Sequence, residues 1–372
     1  MIEGLEIYGS DELPKKLKNM HNCAFICVIG TSETSKIEGV SIAGSTPENT
    51  KYTPAADAEL LTISKVKCAD NIPEAIINGE KFPTPALITK ATLELSKVPF
   101  LIVNAGCEIN PAIKTSQVGD KYAKDIRTGY AVENAEEIYY KSIEEGIDFE
   151  EFHDYIVIGE SMPGGTTTAL GVLKALGYDA DYKISGSSPE NNHELKISLV
   201  NEGLENAGIN DTEDLLSPFD AVKSVGDNII PAIAGITMGS NKPVVLAGGT
   251  QMTAICALIK SINPEFDFSR VAIATTKYIL EDESSNLLDI VKQIDENITV
   301  CVVDPGFEKT EHNALKYYTK GFVKEGVGAG GSMFLALLKG YSIEEIRNNI
   351  VKEIEKQWKK SNKNMFIMEF YF

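Results

Sequence analysis

The 372-residue sequence predicts an α/β fold: a doubly wound, mainly parallel sheet of about six strands with a smaller helical C-terminal domain. Three observations predict it. Six short runs are apolar throughout and do not alternate, as strands buried on both faces do not. Turns rich in Gly, Ser, Thr and Asp follow these runs. Helical stretches then lie between several of them, the alternation that crossover connections in parallel sheets require.

The first run, residues 24–29, opens onto Gly30-Thr31-Ser32-Glu33-Thr34. Residues 37–61 carry prolines and little helical period, and read as a long functional loop or a partly irregular excursion. The second run is 100–104. A helix follows over 133–145, with Ala135, Ile138, Tyr139 and Ser142 on one side. The third run, 155–159, leads into the turn from Gly159 to Thr168 and a helix over 167–176. Residues 204–242 look helical, with Pro218 and Pro231 suited to helix starts and Gly235 and Gly239 to close packing. The run 243–247 ends in Gly248-Gly249-Thr250 before a helix over 252–262. The last two runs are 271–275 and 299–304. From about residue 311 the pattern becomes helical, broken by Gly326-Val327-Gly328-Ala329-Gly330-Gly331. A Lys/Glu-rich helix is expected over 343–360, and residues 366–372 form an aromatic tail of strand or docking character. The expected division is a large nucleotide-binding domain over 1–310 and a small helical domain over 311–372.

Composition bounds the function. The chain has 35 Lys and Arg against 54 Asp and Glu, a net charge of −19. A field of that sign repels nucleic acid phosphates. Only Arg127, Arg270 and Arg347 are arginines, so a bound phosphate would rely on backbone N–H groups and lysines instead of an arginine clamp. The six cysteines form no CxxC pair and read as buried small hydrophobes in a reducing compartment. The four histidines lack zinc-ligand spacing. The apolar runs are far shorter than a membrane span, and the acidic start lacks the basic region of a secretory signal. A cytoplasmic protein that takes small molecules, with no membrane or nucleic acid partner, is expected.

In open α/β sheets, ligands bind beyond the carboxyl ends of the strands. The turn after the third run is the strongest candidate. Gly164 and Gly165 leave room for a phosphate, Thr166 and Thr167 bring hydroxyls, and the start of a helix favours anions. Gly248-Gly249 before the next helix is a second such turn, and Gly226-Asp227-Asn228 a weaker third. Glu325 immediately precedes the glycine-dense run. A partly desolvated carboxylate there would have a raised pKa and could accept a proton near neutrality.

In order, these motifs resemble the nicotinate-nucleotide:dimethylbenzimidazole phosphoribosyltransferase family of cobamide nucleotide-loop assembly, in a divergent subgroup. Gly159, Glu160, Gly164, Thr166 and Thr167 match its Gly-Glu and glycine-rich turn. Residues 224–235 are similar to its glycine pair before an alanine-rich helix. Glu325-Gly326-Val327-Gly328 looks like its C-terminal Glu-Gly-x-Gly, whose glutamate is the general base. The stretch from Arg127-Thr128-Gly129 to Glu136-Glu137 is also similar. The likeness runs from about residue 85 to 340. The turn departs from the bacterial pattern at Met162-Pro163, where Pro163 has no N–H to donate, and at Gly165.

The resemblance implies transfer of ribose 5-phosphate from nicotinate mononucleotide to a benzimidazole- or purine-like base. It implies Glu325 as base and Glu160 on the ribose hydroxyls or in catalysis. The residues Gly164, Gly165, Thr166 and Thr167 would hold the phosphate. Gly226, Gly248 and Gly249 would line the ribosyl and nicotinate side, with Gly326 and Gly328 beside the base. A homodimer is implied, and neither a cofactor nor a metal is required. Two other readings stand beside it: a non-catalytic nucleotide-binding or sensor protein, and a nicotinamide-dinucleotide oxidoreductase. The second would need GxGxxG after the first strand, and Gly30-Thr31-Ser32-Glu33 lacks its later glycines.

Overall fold

In the computed structural model, which describes residues 2–70, 72, 75–77, 80–209 and 215–368, the apolar runs are strands of one sheet. The strands are β1 (Leu5–Tyr8), β2 (Cys23–Gly30), β3 (Ala75–Ile77), β4 (Glu80–Phe82), β5 (Phe100–Gly106), β6 (Ser116–Gln117), β7 (Tyr155–Ser161), β8 (Val244–Ala247), β9 (Val271–Thr276) and β10 (Thr299–Val303). Eight of them join in the order β1-β10-β9-β8-β7-β2-β5-β6, while β3 and β4 form a separate hairpin. All pairs in the large sheet are parallel except β1 with β10. The six expected strands are thus present, with two short edge strands added. β1 escapes the apolar pattern because it is an edge strand whose residues alternate between partly buried and exposed.

The strands are apolar throughout because each face supports its own core. Ile26, Val28, Ile156, Ile158, Leu246 and Ile273 point into one cluster; Phe25, Cys27, Val157, Val245, Ala247 and Ala274 point into the other. Helices Ala135–Phe152, Gly165–Ala175, Ile229–Gly239 and Gln251–Ile262 cover the first face. Helices Thr53–Ile63, Ala86–Ser96 and Ala329–Leu338 cover the second, with the start of Ile343–Met368 outside them. The stretch from 311 onward therefore contributes the helix Ala329–Leu338 to the core beneath β7, β8 and β9. The long helix reaches Met368, so residues 366–368 are helical, and the rest of the aromatic tail, 369–372, lies outside the described residues.

One expectation needs correction. Residues 37–61 are not a continuous loop, since a helix occupies Thr53–Ile63. Pro54 sits in its first turn, where no intrahelical donor is missed. The helix shows no amphipathic period because every residue from Thr53 to Leu61 is buried. The helical region near 204–242 comprises separate helices His193–Asn206, Pro218–Val225 and Ile229–Gly239. There Ser217 caps the helix that Pro218 begins, while Pro231 sits in the first turn of the last.

Gly235 and Gly239 do provide close packing. A Cβ on Gly235 would lie 2.3 Å from the Tyr139 carbonyl oxygen, and one on Gly239 would lie 2.2 Å from that of Ile143. The helices Ala135–Phe152 and Ile229–Gly239 thus cross backbone to backbone. Gly235→Val should destabilise the fold by about 3 kcal/mol, the scale of overpacking in a close-packed core. Urea unfolding checks this, and an unchanged midpoint would show that the crossing is looser than described.

Candidate functional site

The chain starts the parallel sheet at β2, steps outward to β5, returns to β7 on the other side and continues through β8, β9 and β10. The direction of winding reverses between β2 and β7. In such sheets the carboxyl ends of the two strands at the reversal diverge into a crevice. A cleft of about 950 Å³, mouth included, opens there.

The turn after β7 forms its floor. Glu160, Ser161, Met162, Pro163, Gly164, Gly165 and Thr166 all line it. Gly164 has φ +79°, which disfavours a side chain, and a Cβ there would be crowded by Ser35 at 3.2–3.4 Å. The N–H of Gly165 already donates to the Met162 carbonyl at 3.0 Å, and that of Thr167 to the Gly164 carbonyl at 2.9 Å. Thr167 is fully buried, outside the cleft lining, and its hydroxyl has no partner among the described residues. The expected phosphate turn therefore narrows to Gly164, Gly165 and Thr166.

The loop Ser185-Gly186-Ser187 faces this turn and lines the cleft with Gly249. Ser185 is fixed by its N–H and hydroxyl to the Thr250 hydroxyl, both at 3.1 Å. Behind the loop, buried Lys196 donates to the Ser185 carbonyl at 3.1 Å and to Asn191 Oδ1 at 2.7 Å. Among the described residues no carboxylate forms an ion pair with it. Burial, aided by the nearby Lys324 cation, lowers its pKa to about 8. Its ammonium lies 3.1 Å from the point a Gly186 Cβ would occupy. This lysine puts a desolvated positive charge directly behind the cleft-lining loop, a position that composition could not reveal.

Glu325 also lines the cleft. Its Oε1 accepts from the N–H groups of Gly326 at 3.2 Å and Gly330 at 3.0 Å. Its Oε2 accepts from Thr276 N–H at 3.1 Å and the Thr275 hydroxyl at 3.3 Å. Those four donors favour the ionised form, but burial outweighs them and raises the pKa to about 7. The backbone around it is strained: Val323, Lys324 and Val327 have φ of 64°, 57° and 52°. Left-handed conformations of non-glycine residues cost about 1–3 kcal/mol each and concentrate at functional sites. Lys324 is locked by an ion pair of 2.5 Å to Asp282.

Glu160 lies at the end of β7, only 2% exposed. Gln251 donates its Nε2 to Oε1, and Oε2 has no partner among the described residues. Burial, reinforced by the charges of Asp227, Glu325 and Asp57, pushes its pKa well above the usual carboxylate range. Burial thus favours its neutral carboxylic acid form, which can donate a hydrogen bond.

The remaining expected residues divide. Gly249 and Gly326 line the cleft. Gly226 does not; a Cβ there would meet the Val222 carbonyl at 2.7 Å, and the residue ends the helix Pro218–Val225. Its neighbour Asp227 accepts from the N–H groups of Ile229 and Ile230 and from the Thr168 hydroxyl, which fixes helices to each other. Gly248 packs against Met252, and Gly328 against Gly159 and Phe25 beneath β7. These three glycines serve close packing. Sequence reasoning missed Asp57, Thr84, Ser161, Gln251, Thr275, Thr276, the 185–187 loop and Lys196. Ser161, Thr275 and Thr276 were findable, because they end strands on the carboxyl edge.

No family model matches the chain. It is 49% identical over 350 residues to a UPF0284 protein of Methanothermobacter thermautotrophicus, covering 94% of this chain and 97% of that one. UPF0284 proteins of Sulfolobus acidocaldarius, 41% identical over 351 residues, and Methanopyrus kandleri, 37% over 369, cover 94% and 97% of this chain and 98% and 94% of their own lengths. In fold it is similar to the solved nicotinate-nucleotide-dimethylbenzimidazole phosphoribosyltransferase of Thermus thermophilus, with a TM-score of 0.53, 16% identity and coverage of 91% of this chain and 84% of that one. Among the described residues no helix is long and apolar enough to cross a membrane.

The raised pKa of Glu325 has a consequence for stability. Between about pH 4.5 and 7 the native state retains a proton that the unfolded chain has released, so stability falls as pH rises through that window. Urea unfolding at pH 5 and pH 8 should show a smaller decline for Glu325→Gln than for the unsubstituted chain. Equal declines would show that Glu325 is not desolvated.

Proposed function

The chain belongs to the UPF0284 protein family, and from that premise we propose that it is a phosphoribosyltransferase. It moves ribose 5-phosphate from nicotinate mononucleotide to a benzimidazole- or purine-like base and forms an α-ribotide for cobamide assembly. The observation that supports this most strongly is one cleft with Glu325 in one wall and Gly164, Gly165 and Thr166 in its floor. The fold shared with the Thermus enzyme adds to it.

The phosphate sits against the Gly164–Thr166 turn and the 185–187 loop, within the field of Lys196. The pyridinium of nicotinate mononucleotide is a good leaving group, because its ring nitrogen takes the C1′–N bonding pair and becomes neutral. A ring nitrogen of the acceptor forms the new bond to C1′ from the opposite face, which inverts the anomeric centre. The other ring N–H of the acceptor becomes acidic as positive charge develops, and ionised Glu325 takes that proton. Glu160, neutral and with one oxygen unpartnered among the described residues, donates to a ribose hydroxyl. General-base assistance contributes about 10²–10⁴-fold, and alignment of the two reactants supplies the larger part.

Incubation with nicotinate mononucleotide and 5,6-dimethylbenzimidazole, followed by chromatography, should show nicotinate released only when acceptor is present. Glu325→Gln should bind nicotinate mononucleotide normally and lose about 10²–10⁴ of turnover. Unchanged turnover would remove Glu325 from the role. Because the base must be ionised, kcat/KM should rise with pH through about 7, and this limb should vanish in Glu325→Gln.

Lys196→Met should raise the KM for nicotinate mononucleotide about tenfold through loss of the buried positive charge behind the 185–187 loop, with a smaller effect on kcat. A KM unchanged by the substitution would place the phosphate elsewhere.

A further inference from the structure

Two ammonium groups behind the cleft share one carboxylate. Lys196 and Lys324 are both buried, and Lys324 is paired with Asp282 while Lys196 has only neutral acceptors. Asp282 belongs to the turn after the short helix Lys277–Leu280, just beyond β9, and its side chain is 7% exposed. Its two oxygens serve different partners. Oδ2 accepts from the Lys324 ammonium at 2.5 Å. Oδ1 accepts from the Ser284 N–H at 3.1 Å and from the Ser284 hydroxyl at 2.6 Å.

From Ser284 the bonds continue to the loop that lines the cleft. The Ser284 hydroxyl accepts from Asn191 Nδ2 at 3.2 Å, and that amide also donates to the Ile184 carbonyl at 2.7 Å. Asn191 Oδ1 accepts from the Lys196 ammonium, which in turn holds the Ser185 carbonyl. His193 Nε2 fastens the same turn through the Ser284 carbonyl at 2.6 Å. In the other direction, Lys324 directly precedes Glu325, and its carbonyl accepts the Thr276 hydroxyl at 2.5 Å. An unbroken series of bonds therefore joins Ser185 to the Glu325 segment, with Asp282 where its two branches meet. Ser185 and Glu325 line the cleft; Asp282 does not. A buried ion pair is weak evidence for stability, because apolar residues of similar volume often serve as well. A carboxylate here does what an apolar residue cannot, which is to hold partners on both of its oxygens. Burial and the Lys324 cation lower the Lys196 pKa, and the Asp282 charge works against both.

We propose that Asp282 is a positioning residue for both reactants, an inference that rests on the base-exchange reading above. Through Lys324 it fixes the backbone that carries Glu325, and so the point at which the acceptor's proton is taken. Through Ser284 and Asn191 it fixes the Lys196 ammonium behind the 185–187 loop, and so the field in which the phosphate is held. Asp282 acts on each substrate through another residue. The two branches part at its carboxylate, so cutting one should affect turnover and cutting the other should affect donor binding.

The test measures kcat with nicotinate mononucleotide and 5,6-dimethylbenzimidazole, and the Kd of nicotinate mononucleotide by calorimetry. Asp282→Asn, close in shape, should lower kcat about tenfold or more, since small misplacements of a catalytic group are costly. It should also weaken nicotinate mononucleotide binding about threefold, as the field of Lys196 is displaced. Ser284→Ala cuts only the branch to Lys196 and should weaken binding by a similar factor with little change in kcat. In the Glu325→Gln background, Asp282→Asn should lower kcat no further, because its effect on turnover runs through Glu325. Where Asp282→Asn fails to fold, Asp282→Leu combined with Lys324→Met removes both charges together and should fold with the same loss of kcat. An unchanged kcat in either folded variant would overturn the proposal. So would a further fall in kcat in the Glu325→Gln background, or Ser284→Ala binding nicotinate mononucleotide with undiminished affinity. Nicotinate release by the unsubstituted chain alongside any of these results overturns only this inference. Absence of nicotinate release by the unsubstituted chain overturns the base exchange and this inference together.

Discussion

The clamp on the Glu325 carboxylate organises this end of the molecule. Its four donors come from three places: Thr275 and Thr276 at the end of β9, Gly326 beside it, and Gly330 in the first turn of the helix Ala329–Leu338. To reach all of them the chain must fold back within a few residues, and that reversal produces the left-handed backbone at Val323, Lys324 and Val327. It also accounts for the glycine density. A Cβ on Gly330 would lie 2.4 Å from the Thr275 carbonyl carbon and 2.6 Å from Glu325 Oε2, and one on Gly331 would lie 2.2 Å from Ala247 Cβ. The helix can start directly beneath the strand ends only if it begins without side chains.

The site also indicates how a strongly acidic chain could hold the anionic ligand proposed for it. A net charge of −19 describes the far field, but the field inside a cleft depends on which groups are ionised and which are close. Burial favours the neutral form of Glu160 and raises the Glu325 pKa to about 7, which disfavours negative charge at two of the carboxyl groups that line the cleft. Lys196 meanwhile has neutral acceptors on its ammonium. The formal charge therefore overstates the negative charge in the cleft, and the desolvated Lys196 cation lies behind one of its loops.

Much of the scaffold was legible because burial on both faces leaves a direct trace: six strands appeared as uninterrupted apolar runs. The helix Ala135–Phe152 was legible from the side it buries, with Ala135, Ile138, Tyr139 and Ser142 inside. The helix Thr53–Ile63 was hidden for the opposite reason, since an element buried all round has no polar face to set a period. Among the glycines, spacing alone could not separate Gly164, Gly249 and Gly326, which border the cleft, from Gly226, Gly248 and Gly328, which let backbones approach each other. Asp57, Thr84 and Ser161 were illegible as a group. They come from segments 27 and 104 residues apart along the chain and meet only because the winding reverses between β2 and β7.

The connections among the walls bear on how two substrates could be aligned. The Ser187 carbonyl accepts the Val323 N–H at 2.8 Å, and the Ser187 hydroxyl accepts the Ile42 N–H at 3.4 Å. The Thr89 hydroxyl donates to the Val327 carbonyl at 2.8 Å, from the helix that follows Pro85. The loop beside Lys196, the segment bearing Glu325 and the wall bearing Asp57 are therefore tied to one another directly. A displacement at the 185–187 loop would be transmitted to the strained backbone at Val323 and to the loop at Ile42 through single hydrogen bonds. Strain of this kind persists only where surrounding contacts over-determine the conformation, and these bonds, with the Lys324–Asp282 ion pair, are such contacts. The carboxylate is held in position by the protein before any ligand arrives, so that ligand binding need not spend free energy on ordering it, and preorganisation of that kind is the main way a fold lowers the barrier between two bound reactants.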